Sequence, residues 1–121
     1  MGFSNSLNSN KRETVPEGVK LDDLSYIHIK KFAGKKLKQP IRLQGFFISK
    51  GKFGLGVTLL GDVDGELSGI NIPSWYVDRF KDASDEDVKQ ILEGRLLITA
   101  VDTKSTNNGD TYIITFEDVE D

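Results

Sequence analysis

The chain contains no cysteine. Disulfides, thiolate zinc sites, iron–sulfur clusters and cysteine nucleophiles are therefore excluded. It contains one histidine, His28, so a histidine metal site or a Ser-His-Asp relay would rest on that residue alone. Long apolar runs are also missing. The longest stretches are a few residues, as in Phe46-Phe47-Ile48, against the ~20 that a membrane-spanning helix needs. No apolar stretch of signal-peptide length opens the chain, so the expected location is the cytoplasm, with no membrane partner.

Acidic residues are missing from one long stretch. From His28 to Gly54 there are eight Lys or Arg and no Asp or Glu. From Leu55 to Asp121 there are five basic and fifteen acidic residues. The formal net charge of −3 hides this division. Screening confines charge effects to about 8–10 Å at ordinary salt, so a positive field can be local on an acidic protein.

At 121 residues the chain fits one domain. Residues 1–18 are rich in Ser and Asn, carry Pro16 and show little apolar periodicity. They are expected to form a flexible N-terminal tail. Residues 19–121 are expected to form a single domain. Tyr26 to Lys30 is a short β-prone run. Pro40 opens a strand over Ile41–Ser49. Strict alternation there puts Ile41, Leu43, Gly45 and Phe47 on one face and Arg42, Gln44, Phe46 and Ile48 on the other. Gly45 in mid-strand suggests a bend or bulge. Further strands are expected over Leu55–Leu60, Glu66–Ile72, Arg95–Thr103 and Thr111–Phe116. The period changes at Pro73. Ser74 can cap a short helix through Trp75, Tyr76, Val77 and Phe80. Ser84 with Asp87 marks a second helix start, and Gly94 its end. Asn108-Gly109 is a hairpin signal.

The order is three strands, a helical segment and two strands. It resembles the OB fold, a five-stranded barrel (β-β-β-α-β-β) in which a helix joins the third and fourth strands. The resemblance covers about Ile41 to Phe116. It rests on this order, on Gly45 within the first strand and on the hairpin around Asn108-Gly109. The chain also resembles the small single-stranded DNA-binding proteins of bacteria and their phages, which pair such a barrel with an acidic C-terminal end. Here Glu117 to Asp121 is acidic but lacks the final Pro-Phe of typical bacterial members. The expected fold is thus a mainly β, five-stranded OB-type barrel with a flexible N-terminal extension.

Basic and aromatic residues interleave between Lys30 and Phe53. Single strands are held by cations that follow the phosphates and by flat rings on which bases stack. Arg42, Phe46, Lys50, Lys52 and Phe53 are the expected nucleic-acid contacts, with Lys104 from the second loop that flanks an OB binding face. Phe47, alternating with Ile41 and Leu43, is expected in the core. Trp75 and Tyr76 are expected to pack against the barrel base, and His28 to be an ordinary strand residue.

Enzyme signals fail on inspection. Asp62 to Glu66 lacks calcium-loop spacing, since glycine comes fourth and position twelve is Pro73. Gly51, Gly54 and Gly56 match neither a dinucleotide fingerprint nor a P-loop. The carboxylates of Asp82, Asp85, Glu86 and Asp87 suit a helix N-terminus without further chemistry. The expectation is a non-catalytic binder with no metal and no cofactor. Its ligand is expected to be single-stranded nucleic acid. The alternative is a barrel that binds an acidic protein partner or another copy of itself.

Overall fold

The computed structural model describes residues 14–34, 36–52 and 54–119. The expectations placed on Phe53 and on the first thirteen residues of the leader lie outside these. Six strands form one mixed sheet: β1 (Ser25–His28), β2 (Lys36–Gly51), β3 (Gly54–Val63), β4 (Glu66–Ile72), β5 (Leu96–Thr106) and β6 (Gly109–Asp118). The sheet order is β1-β4-β3-β2-β5-β6. All pairings are antiparallel except β1 with β4. The run at Tyr26 thus adds a strand to the five expected, and the sheet is open. Among the described residues no ladder joins β1 to β6; their side chains meet instead, the His28 and Tyr112 rings lying 5.9 Å apart.

β2 organises the sheet. Its first half pairs with β5 and its second half with β3. It begins at Lys36, ahead of Pro40, because the register to β5 slips between Lys36 and Ile41. An irregular stretch tolerates a proline that cannot donate to a regular ladder.

A second irregularity sits at Gly45. Leu43 pairs with Gly61 and Gly45 with Leu60, so Gln44 is an extra residue. This bulge reverses the alternation. Ile41 and Leu43 face the core before it, and Phe46 after it. Phe46 is 2% exposed and packs on Phe80 with ring centroids 5.0 Å apart. The inward rows are Phe46–Leu59–Ile70 and Ile48–Val57–Ile72.

Between β4 and β5 a 3-10 turn (Ser74–Tyr76) leads into α1 (Val77–Lys81) and α2 (Asp85–Leu92). Ser84 and Asp87 form a complete capping box. At the other end Gly94 N–H donates to Ile91 O, and Arg95 N–H to Gln90 O. These are the two bonds of a Schellman ending. The apolar side of the segment fills the curl of the sheet. Phe80 meets Phe46 and Phe116, and the Tyr76 hydroxyl accepts the Ile114 N–H at 2.7 Å. β6 is an outer strand, and this hydroxyl satisfies a backbone group that a further strand would otherwise take. Burial holds the Tyr76 phenol above its ordinary pKa, while the bond to Ile114 and the charge of Arg79 act the other way. The phenol therefore stays neutral near pH 7.

The leader is held from Thr14 onward, although the tail was expected to run to Gly18. Phe46 N–H donates to Thr14 O at 2.8 Å, and the Thr14 hydroxyl donates to Phe46 O. A Cβ on Gly45 would lie 2.5 Å from Thr14 O and 2.8 Å from Pro16 Cδ. The glycine thus lets the leader cross the bulge. Gly45→Ala is expected to lower stability by about 1–3 kcal/mol, the range for inserting atoms into a packed site. A urea titration with an unchanged slope and a lower midpoint checks this.

Candidate nucleic-acid interface

Directly paired residues share a face of a sheet, so the register fixes what lies outside the core. Two outward rows matter. The first is Gly45–Leu60–Gly69–Tyr26. It is closed: Thr14 and Pro16 lie over Gly45, and the Tyr26 ring occupies the space a Gly69 side chain would need. Leu60 is fully buried beneath them.

The second row is Phe47–Thr58–Asn71–His28. It crosses four strands, about 14 Å at ~4.8 Å per strand. Phe47 is half-buried, with Tyr26 edge-on to it at 6.4 Å. Thr58 donates to Asn71 Oδ1 at 2.8 Å, which fixes the amide and leaves its NH₂ outward as a donor. Asn71 and His28 are exposed. His28 Nδ1 accepts the Lys30 N–H at 3.1 Å, so the neutral ring carries its proton on Nε2. Beyond Phe47 the next outward pair is Ser49 with Gly56, and a Cβ on Gly56 would meet nothing within 4 Å.

Cations lie near both ends of this row. Lys50 and Lys52 stand exposed at the β2–β3 hairpin. Lys30 and Lys31 lie in the 3-10 turn (Ile29–Phe32) that follows His28. No Asp or Glu occurs between Leu24 and Gly61. Among the described residues, Lys30, Lys31, Lys50 and Lys104 form no ion pair. Their charge is therefore uncompensated by close carboxylates.

The expected contacts divide. Lys50 and Lys52 are exposed at the hairpin near the Phe47 end, where Lys50 pairs with Leu55 and continues the Phe46–Ile48 side of the strand beyond the core. Phe46 is not on the outward face. The bulge turns it inward and turns Phe47 outward, so the two phenylalanines exchange the places that uninterrupted alternation gives them. Arg42 lies before the bulge and donates to Gly94 O at 2.6 Å, at the end of α2. Lys104 pairs with Thr111, next to Tyr112, and so stands beyond the His28 end of the row, away from Lys50 and Lys52. Tyr26, Phe47, Asn71 and His28, which the register brings together, were not among the expected contacts. The glycine at position 45 was the available signal for Phe47, and the β-prone run was the signal for Tyr26 and His28.

The face has a hydroxyl and an amide, yet it lacks a group of acids or bases in relay. Among the described residues no cluster of three or more His, Asp or Glu side chains could hold a metal ion. No helix among them is long and apolar enough to cross a membrane.

Truncating the two phenylalanines separately tests which one the core holds. Phe46→Ala is expected to cost about 3–5 kcal/mol of stability, the range for truncating a buried aromatic. Phe47→Ala, at a half-exposed site, is expected to cost clearly less. Urea midpoints of the two variants, measured side by side, check the assignment. Compared with known family models, with curated proteins and with solved structures, the chain matches none.

Proposed function

We propose that this chain is a non-catalytic single-stranded nucleic-acid-binding module of OB type. The element order from β2 to β6, with α1 and α2 between β4 and β5, supports the OB reading. Under it, the outward face of β3 and β4 corresponds to the face on which such barrels bind oligonucleotides. The observation that carries the function is the Phe47–Thr58–Asn71–His28 row. It offers a ring for stacking, an amide and an imidazole N–H for base edges, and lysines at both ends for phosphates. An acidic protein partner would be served by the lysines alone. It would gain little from a glycine-bordered strip with an aromatic at its head.

A labelled single-stranded oligonucleotide, followed by fluorescence anisotropy, is expected to bind saturably at low salt. Affinity should fall as salt rises, with a log–log slope near −0.7 per phosphate neutralised. Replacing Lys50 and Lys52 together by Ala should make that slope shallower by about 1.4, two such increments. Phe47→Ala should weaken binding roughly tenfold at any salt, as loss of one stacked base predicts. No saturable binding at low salt would reject the proposal.

A further inference from the structure

Trp75 is the single tryptophan of the chain and is 48% exposed. An exposed indole needs a reason, since its large apolar surface favours burial. Here the ring is held in place. Its Nε1–H donates to Thr111 Oγ1 at 3.1 Å. One face stacks on Tyr76, with centroids 3.8 Å apart and planes 27° apart. Tyr76 is in turn anchored to the β6 backbone at Ile114. A ring fixed by its N–H and buttressed on one face presents its remaining surface with little entropy left to lose.

The position lies near the His28 end of the row described above, across β6. His28 meets Tyr112 across the two sheet edges. Thr111, the half-buried residue before Tyr112, holds Trp75. Lys104 is the cross-strand partner of Thr111 and is exposed. Arg79, one helical turn after Trp75, lies on the wall of the cleft of about 440 Å³ that Trp75 and Tyr76 also line. Two acids, Asp87 and Asp118, line the same cleft. Asp118 is seven residues along β6 from Thr111, about 24 Å at ~3.4 Å per residue. Lys104 and Arg79 stand by the tryptophan; Asp110, next to Thr111, accepts the Ser105 hydroxyl at 3.2 Å, and Asp118 stands at the far end of the strand.

We infer that Trp75 is a second base-stacking platform, which carries the single strand from the Phe47–His28 row past Tyr112 and between Lys104 and Arg79. The inference rests on the nucleic-acid reading of the row and extends it to a surface that the OB analogy does not reach. The stack forms between a base and the indole face that Tyr76 leaves free. Lys104 and Arg79 hold the phosphates on either side of that base.

The single indole makes the test direct. The whole chain is titrated with an oligothymidylate of about 16 nucleotides, the upper end of the site size for one such barrel. Anisotropy of a label on the oligonucleotide and intrinsic tryptophan fluorescence are recorded together. The expected result is quenching of Trp75 with the same midpoint as the anisotropy. Trp75→Ala should weaken binding about tenfold, and Trp75→Phe should keep most of the affinity. Lys104→Ala should reduce the salt slope by about 0.7. Saturable anisotropy with unchanged tryptophan emission, and a Trp75→Phe variant that binds no better than a folded Trp75→Ala, would overturn the inference and leave the Phe47–His28 face standing. Absence of any anisotropy change would overturn both.

Discussion

The extra residue in β2 governs the rest of the structure. Gln44 has no partner of its own in the ladder to β3, and its side chain donates instead to Asp62 Oδ2 at 2.7 Å. One unpaired residue bends the strand and reverses its faces. The bend lets β2 serve β5 with its first half and β3 with its second. The reversal sends Phe46 into a ring cluster with Phe80 and Phe116. It also leaves Phe47 outside, at the head of the row that ends at His28. Gly45, beside the bulge, gives Thr14 and Pro16 room to cross the strand.

The outer face is then divided into a covered row and a more exposed one. The leader and Tyr26 close the row through Leu60, which is as deeply buried as the core itself. In the next row Asn71 and His28 are exposed, Phe47 is half-buried and Thr58 is buried, and its boundary is set by glycine. The outer strand β6 is handled differently. Tyr76 caps its backbone at Ile114 with a neutral hydroxyl, which satisfies a buried N–H and blocks strand addition at that point. The same local sequence, Trp75-Tyr76, thereby commits one ring to stability and fixes the other at the surface.

Much of this fold was legible in the sequence. The capping box of Ser84 and Asp87, the helix ending at Gly94 and the turn near Asn108-Gly109 are local devices, and local chemistry determines them. Gly45 announced a bulge. Its consequence was harder to read, because a bulge placed one residue earlier or later would choose a different phenylalanine for the core. Alternation carried through Gly45 put Phe46 outside and Phe47 inside, and both places were exchanged. The Phe47–His28 row was less legible still. Phe47, Thr58, Asn71 and His28 come from four strands, and the parallel pairing of β1 with β4 that brings in His28 leaves no mark in either segment. Charge, by contrast, was visible from the start. The acid-free stretch puts Lys30 and Lys31 after β1 and Lys50 and Lys52 at the β2–β3 hairpin, with Arg42 drawn off to a helix terminus by a carbonyl that no sequence pattern pairs with it.

The central claim is that the open row from Phe47 to His28 holds a single strand of nucleic acid. Residue-resolved amide and side-chain NMR shifts, followed during titration with a short single-stranded oligonucleotide, test it most directly. The account predicts that the largest shifts fall on Phe47, Asn71 and His28, and on the lysines at the two ends of the row, while Phe46 and Leu60 move little. Shifts that leave this row untouched and gather on α1 and α2 or on the β3–β4 turn would contradict it.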